Sequence, residues 1–141
     1  MRPYDVGKLF ELHLARTLFN CGCITIVSPA SGKRNNVFKP PDVVAVRDGR
    51  ATFFEVKYRG DGRDIYIRRR EFEEYRDIVR RSGSRLYICT FYSEIGYFKC
   101  LDLEDYDNIT NKYVVYRRTS FYTRGKDPRK IVGCTSNVHK R

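Results

Sequence analysis

A predicted β-hairpin constrains this chain more than any other feature. Residues 43–46 form an apolar run, Asp48-Gly49 is a strong signal for a two-residue turn, and residues 51–58 are rich in aromatic side chains. Two such runs joined by an Asp-Gly turn predict a pair of antiparallel strands. The rest of the chain has to pack around this pair, so we expect a fold with a sheet at its centre.

Two acids and a lysine are predicted to meet at the open end of this hairpin. Side chains alternate between the faces of a strand, so Glu55 and Lys57 share one face, and Asp42 approaches Glu55 from the start of the first strand. Charge among apolar strands is costly unless it is paired or holds a metal. Two carboxylates suit Mg²⁺, and a lysine beside them can orient water or neutralise charge on a phosphate, which predicts metal-assisted phosphodiester hydrolysis. The alternative is a surface strand with one Glu–Lys pair and a capping aspartate.

The first helix carries a further acid. Residues 6–20 have apolar side chains at helical spacing, and Glu11 falls on or beside the predicted buried stripe. It either pairs with Lys8 or Arg16 at the boundary of that stripe, or is a third carboxylate aimed at Asp42.

A polar, basic loop leads directly into Asp42. Residues 28–41 contain Ser31, Lys33 and Arg34 around a glycine. Such a loop is either a mobile connection or, because it precedes the acidic site, a contact for phosphate.

The remaining pattern predicts alternating strands and one more helix. The helix is expected at residues 69–82, where an apolar stripe lies among charged residues, and strands are expected at 23–27, 64–67, 86–92, 97–101 and 112–117. Residues 117–141 are basic and poor in apolar side chains. They either contact DNA or form a loose solvated tail. This order predicts an α/β fold, with a central mixed sheet flanked by helices.

Composition favours a polyanionic partner. The chain has 141 residues, enough for a single domain over residues 1–141, and a formal net charge of +11. We expect no membrane partner, because apolar runs are short and no long basic amphipathic helix is present. No signal peptide is recognised, and we predict a cytoplasmic protein.

The five cysteines are predicted to be reduced. Their odd number and scattered positions argue against a disulfide framework, and no second Cys pair matches the spacing of a zinc site; the positions are 21, 23, 89, 100 and 134.

These motifs together resemble one family of nucleases. Over about residues 4–91 the order and spacing of several segments are similar to the archaeal Holliday-junction resolvases, whose superfamily has the PD…(D/E)xK signature and a restriction-endonuclease-like fold. The segments are Gly7-x-x-x-Glu11, Pro29-Ala30-Ser31-Gly32, Pro41-Asp42, Glu55-Val56-Lys57, Ile65-Tyr66-Ile67-Arg68-Arg69 and Arg81-Ser82-Gly83.

The resemblance implies a homodimer that binds four-way DNA junctions by shape and cuts two opposed strands with Mg²⁺ or Mn²⁺. Matching positions imply Glu11, Asp42 and Glu55 as metal ligands, directly or through water. Lys57 would act on the attacking water or on the transition state, and Ser31 would lie near the scissile phosphate. The residues expected to contact DNA are Lys33, Arg34, Tyr66, Arg68 and Arg69. The dimer interface is expected either at the sheet edge or among the aromatic residues after Phe91, which could equally belong to the core.

Two positions depart from the family pattern. Leu12 stands where the family usually has an arginine after the first glutamate, and Glu71 stands where many members have a glutamine. Two other functions therefore remain open. One is a nuclease of the same superfamily acting on ordinary duplex DNA, and the other is a non-catalytic module that binds DNA junctions. The intact set of acids and lysine argues against the second, because acids at a phosphate site weaken binding unless a metal occupies them.

Overall fold

The structure is a computed structural model that describes residues 3–29, 37–58 and 63–134, and the side chains from residue 6 onward. Its elements in chain order are α1 (Pro3–Asn20), β1 (Ile24–Val27), β2 (Val43–Arg47), β3 (Arg50–Val56), β4 (Ile65–Arg68), α2 (Arg69–Ser82), β5 (Arg85–Tyr92), β6 (Tyr97–Asp102), β7 (Asn108–Ile109), β8 (Tyr113–Tyr116), α3 (Arg118–Arg124) and α4 (Pro128–Ile131).

Five strands form the central sheet in the order β1-β2-β3-β5-β6. The β3–β5 pair is parallel and every other pair in this sheet is antiparallel. A smaller sheet has the order β4-β8-β7. The connection from β3 to β5 passes through β4 and α2, as a parallel pair requires a crossover. The predicted α/β architecture with a mixed sheet is confirmed.

The predicted hairpin is present as β2 and β3. Asp48 and Gly49 have φ angles of 51° and 76°, and two positive φ angles in succession match the right-handed twist of the strands that such a turn connects. In the resulting register Val44 pairs with Phe53 and Val43 with Phe54. Phe54 then points to the face of the sheet that α1 covers, and Phe53 points to the face nearer α2.

One half of the core lies between α1 and the sheet. Leu14 and Leu18 lie one turn apart on α1 and are fully buried against Val43, Phe54 and other residues of the strands. The other half lies under α2 and the smaller sheet, where Phe72 and Tyr75 are fully buried. The helix α2 has the predicted bounds, because Gly83 adopts a left-handed conformation and its amide hydrogen-bonds back to Val79.

The segment after residue 117 is folded as far as Cys134, so the expectation of a loose tail is wrong for it. It forms α3 and α4, and Phe121 of α3 is fully buried in the core. Phe98 and Tyr116 are also buried. These three aromatic residues belong to the core and do not form an exposed interface.

The prediction that all cysteines are reduced is also wrong. The structure pairs Cys21 with Cys134 and Cys89 with Cys100, and leaves Cys23 free and buried. Cys89 and Cys100 face each other directly on β5 and β6. Cys21 and Cys134 are 113 residues apart in sequence, so only the fold brings them together.

Among the helices that the structure describes, none combines the length and the apolar character needed to cross a membrane.

Candidate active site

The predicted acidic pair forms where β2 begins and β3 ends. The backbone amide of Asp42 donates a hydrogen bond to Oε1 of Glu55 at 3.1 Å, and the amide of Val56 donates one to Oδ2 of Asp42 at 2.9 Å. Both bonds bridge the two strands just beyond their ladder. Glu55 is 3% exposed. The strands therefore hold the two carboxylates close together and largely away from water.

The proximity of these acids changes how Asp42 ionises. Burial, followed by the negative charges of Glu55 and Glu11, raises the pKa of Asp42 to about 8. Like charges close together in a poorly solvated place cannot all be ionised without a cation. In the metal-free site Asp42 therefore keeps its proton near neutral pH.

Lys57 lies between two carboxylates. Its Nζ is 3.3 Å from Oε2 of Glu55 and 3.3 Å from Oε1 of Glu71. Burial works to lower the pKa of Lys57, but the charges of Glu55, Glu71 and Asp42 outweigh it and raise the pKa overall. The lysine is therefore a fixed, charged group at the edge of the acidic pair.

Glu11 takes part in both arrangements that the sequence left open. Its carboxylate is 3.7 Å from Nζ of Lys8, and Lys8 also donates to the carbonyl of Ser28 at 2.9 Å. Burial raises the pKa of Glu11, Lys8 works against that rise, and the charge of Glu55 adds to it. Glu11 is thus paired with Lys8 and also close enough to feel the charge of the acidic pair.

Two carboxylates, not three, form the closest group. Over residues 3–29, 37–58 and 63–134, no three His, Cys, Asp or Glu side chains are placed so that they could hold one metal ion together. Mg²⁺ usually takes one or two carboxylates and keeps several waters, so Asp42 and Glu55 alone suit it.

A buried hydroxyl lies against this group. Tyr75 is fully buried in α2, and its Oη makes no hydrogen bond of ordinary geometry to any residue that the structure describes. Burial and then the charges of Glu55 and Glu71 raise the pKa of Tyr75 well above its usual value. Contact of the hydroxyl with the carboxylate of Glu55 adds to that rise, so Tyr75 lies against one acid of the pair although the geometry is not that of an ordinary hydrogen bond.

No site role is predicted from the sequence for Lys39 or Tyr75, whereas Glu71 is the departure from the family pattern that either perturbs the site or adds an acid near it. Oε2 of Glu71 is 2.6 Å from Nζ of Lys39, while Oε1 contacts Lys57. Helical spacing supplied a usable signal, because Glu71 and Tyr75 lie four residues apart on α2 and so on one face. The ring of Tyr75 lies in the apolar stripe of the helix, within the core.

Of the residues expected to contact DNA, the structure describes Tyr66, Arg68 and Arg69. Tyr66 and Arg68 project from the outer face of β4 beside Tyr113, next to a cavity of about 830 Å³. The guanidinium of Arg69 is already bonded to Glu73 at 2.8 Å and to the carbonyl of Thr110 at 2.9 Å. Ser31, Lys33 and Arg34 lie outside the described residues, so their predicted roles stay predictions.

The chain matches the model of the family described as archaeal Holliday junction resolvase (Hjc) over residues 2–134. Crossover junction endodeoxyribonucleases Hjc of Sulfurisphaera tokodaii and Sulfolobus acidocaldarius are each 33% identical to it over 82 residues, or 58% of this chain. The matched region spans only 56% and 57% of the length of those two relatives.

The fold is also similar to a solved structure of Hjc, a Holliday junction resolvase from the archaeal hyperthermophile Archaeoglobus fulgidus. The TM-score is 0.76 at 23% identity, and the similarity covers 90% of this chain and all of that one. The restriction-endonuclease-like fold that the resemblance implied is thereby confirmed.

Proposed function

Because the chain belongs to the archaeal Holliday junction resolvase family, we propose that it is an endonuclease that resolves four-way DNA junctions by metal-dependent hydrolysis of phosphodiester bonds. The observation that carries this proposal is the group of Asp42, Glu55 and Lys57, fixed at one end of the sheet by hydrogen bonds and ion pairs. In a module that only binds DNA, buried acids beside a phosphate would weaken binding. Because the proposed substrate is DNA, we also propose that the protein acts in the cytoplasm.

Asp42 and Glu55 would hold Mg²⁺, with Mn²⁺ as a substitute. One feature supports this fit: the pKa of Asp42 is raised to about 8 by burial and then by the charges of Glu55 and Glu11. A bound cation would favour the ionised form of Asp42. Such an ion supplies Lewis-acid polarisation of a phosphoryl oxygen and a water of lowered pKa.

The remaining side chains would act around this centre. Lys57 would stabilise the charge that develops on the phosphate, because its ammonium is held charged at the edge of the acidic pair. Glu11 would contact the ion through water, since its carboxylate also pairs with Lys8. Ser31 would approach the scissile phosphate from the loop that precedes Asp42.

Basic residues would bind the arms of the junction. Tyr66 and Arg68 are exposed on β4, and Lys33 and Arg34 precede the site in sequence. Arg69 would have to exchange its present partners for a phosphate. With a net charge of +11, affinity should fall by about 0.9 log unit per log unit of salt for each phosphate neutralised on duplex DNA.

A second copy of the chain would complete the enzyme, because symmetrical cutting of a four-way junction needs two sites related by a two-fold axis. An apolar strip on the central sheet suits this contact. Ile24 and Ile26 of the edge strand β1 are 63% and 58% exposed. They pair with Val46 and Val44, and Val44 pairs with Phe53, so all five share one face.

The strip continues into a groove beside α2. A cavity of about 870 Å³ there is lined by Val37, Phe38, Phe53 and Ile78 together with charged residues of the helix. Contiguous apolar surface with a polar rim is typical of a protein–protein interface. The sheet-edge alternative for the interface is therefore the one we propose.

One assay tests the function. The protein is incubated with a four-way junction and with a linear duplex of the same sequence, with and without Mg²⁺, beside the variants Asp42→Asn, Glu55→Gln and Lys57→Ala. We expect metal-dependent cutting of the junction by the wild type, and losses of ~10²-fold or more in each variant, by analogy with removing one electrostatic stabiliser. Junction binding should survive in all three. No cutting with Mg²⁺ or Mn²⁺, or full activity of Lys57→Ala, would leave only a binding module.

A further inference from the structure

The first turn of α2 presents one carboxylate to two lysines. Oε1 of Glu71 lies 3.3 Å from Nζ of Lys57, and Oε2 lies 2.6 Å from Nζ of Lys39. The three side chains are between 18% and 27% exposed. Ion pairs of this partly buried kind hold their members more firmly than ion pairs in open solvent.

The two lysines come from different parts of the site. Lys57 follows Glu55 at the end of β3, whereas Lys39 lies three residues before Asp42. Glu71 is therefore a bridge between the strand that carries the lysine of the site and the segment that carries one of its acids. No other carboxylate among the described residues pairs with both lysines.

Glu71 and Glu55 both contact Lys57, but only Glu55 also belongs to the proposed cation site. Glu55 contacts Lys57 at 3.3 Å, but it also forms half of the acidic pair that suits a cation. Once a cation takes up charge on Glu55, its hold on Lys57 weakens. Glu71 has no such competing role, and its position in the first turn of α2 favours a negative charge because of the helix dipole.

The electrostatics agree with this division. Burial works to raise the pKa of Glu71, but Lys57 and Lys39 outweigh it and the pKa is lowered overall. Glu71 thus stays charged where Asp42, with its raised pKa, does not.

We propose that Glu71 is a positioning residue of the cleavage site: it holds the ammonium of Lys57 in place when a cation occupies Asp42 and Glu55, and it ties the segment before Asp42 to that ammonium through Lys39. The inference rests on the proposed cleavage of DNA by this site. It predicts that the charge of Glu71 matters for the cutting step and not for holding the junction.

The test separates cutting from binding. Single-turnover cleavage at saturating enzyme is compared with junction affinity measured without metal, for Glu71→Gln, Glu71→Asp and the wild type. We expect Glu71→Gln to slow cleavage about 10- to 100-fold, the range seen when a residue that orients an active-site group is removed, while affinity is unchanged or tighter. Glu71→Asp, which keeps the charge, should recover part of the rate. Retained junction binding also shows that each variant is folded.

A double-mutant cycle distinguishes an effect of Glu71 through Lys57 from an effect of the changed charge of the site. If Glu71 acts through Lys57, adding Glu71→Gln to Lys57→Ala should slow cleavage no further than Lys57→Ala alone. A multiplicative loss would overturn the inference. The control is Glu104→Gln, which removes a carboxylate that is likewise paired, with Arg76 on the outside of the molecule, and it should leave the rate unchanged.

The experiments distinguish failure of the proposed function from failure of the inference about Glu71. A wild type that cuts no junction would remove the proposed function and this inference with it. A wild type that cuts, with Glu71→Gln cutting equally fast, would remove the inference alone.

Discussion

The carboxylate of Glu55 accepts a hydrogen bond from the backbone amide of Asp42 at 3.1 Å, and the amide of Val56 donates one to the carboxylate of Asp42 at 2.9 Å. Each acid is thereby fixed by the strand that carries the other. The backbone keeps two carboxylates together that would separate in a free chain. Such a site costs stability until a cation enters it, as is common for sites selected for function.

This arrangement predicts that the metal-free protein is stabilised by acid. The pKa of Asp42 is raised in the folded state from 3.8 to about 8 by burial, Glu55 and Glu11. A raised carboxyl pKa contributes stability that is full below about pH 3.8 and is lost as pH rises through about 8. Between pH 5 and 8.5, therefore, the melting temperature in EDTA should fall as the pH rises. Asp42→Asn should flatten that fall and melt higher than the wild type at pH 8.5.

The pKa of Glu11 is also raised, so Glu11 contributes to the same fall, and the difference between the wild type and Asp42→Asn isolates the part that belongs to Asp42. The pKa of Glu71 is lowered despite its burial because of Lys57 and Lys39, so Glu71 affects stability only at acidic pH. The raised pKa of Lys57 acts only at alkaline pH, above the window. A melting temperature of Asp42→Asn that lay below the wild type at pH 8.5, and followed pH as steeply, would show that Asp42 ionises normally.

Tyr75→Phe should leave the metal-free protein equally or more stable but reduce its stabilisation by Mg²⁺. The hydroxyl is buried without a hydrogen-bond partner among the described residues, and removing an unsatisfied buried group costs nothing or stabilises, by about 1–3 kcal/mol at most. The metal-free variant should therefore unfold at equal or higher urea concentration. Mg²⁺ should raise its melting temperature less than that of the wild type, because the hydroxyl lies against Glu55 and would no longer help to orient that proposed ligand.

Phe72→Leu is a matched control three residues before Tyr75 on the same helix. Phe72 is also fully buried, but it carries no polar group, so its change should lower stability equally with and without Mg²⁺. Loss of stability in metal-free Tyr75→Phe, with an unaltered response to Mg²⁺, would contradict the role given to the hydroxyl.

The sequence predicted the parts of the site that are fixed by local chemistry. The Asp48-Gly49 turn set the register of β2 and β3, and the two-residue alternation of side chains then placed Glu55 and Lys57 on one face. The helix α2 was predicted with its observed bounds because charged residues surround a regular apolar stripe and Gly83 ends it.

The parts that were missed depend on contacts between distant segments. Lys39 and Glu71 meet although 32 residues separate them, and no local pattern marks such a pair. Residues 117–141 are poor in apolar side chains, yet Phe121 is fully buried and Tyr122 packs against the same core, which holds α3 in place. Cys21 and Cys134 are 113 residues apart in sequence, so no local cysteine spacing predicts that they pair.

The exposed strip on the edge strand predicts the effect of a charge placed there. Ile26→Lys puts an ammonium beside Val44, where a second copy of the chain would bury it, so the protein should become monomeric at micromolar concentration. Its junction affinity should fall and paired cutting should give way to single nicks. Sedimentation velocity measures the mass.

The control is Ile95→Lys, a similar change at an exposed residue in the turn between β5 and β6, and it should stay dimeric. A wild type that sediments as a monomer, with DNA and without, would remove the dimer.

The two disulfides predict both a thiol count and an order of stability. Under denaturing, non-reducing conditions one thiol should be alkylated, that of Cys23, and after reduction five should be, as read by mass spectrometry. Cross-linking removes more entropy from the unfolded chain when the closed loop is longer, by about 3 kcal/mol for a 15-residue loop and about 4.7 kcal/mol for a 100-residue loop. The sequence separations here are 11 and 113 residues. Replacing Cys21 and Cys134 by alanine should therefore lower the urea midpoint more than replacing Cys89 and Cys100, although the latter pair is the more buried. Five reactive thiols before reduction would show that neither bond forms in solution.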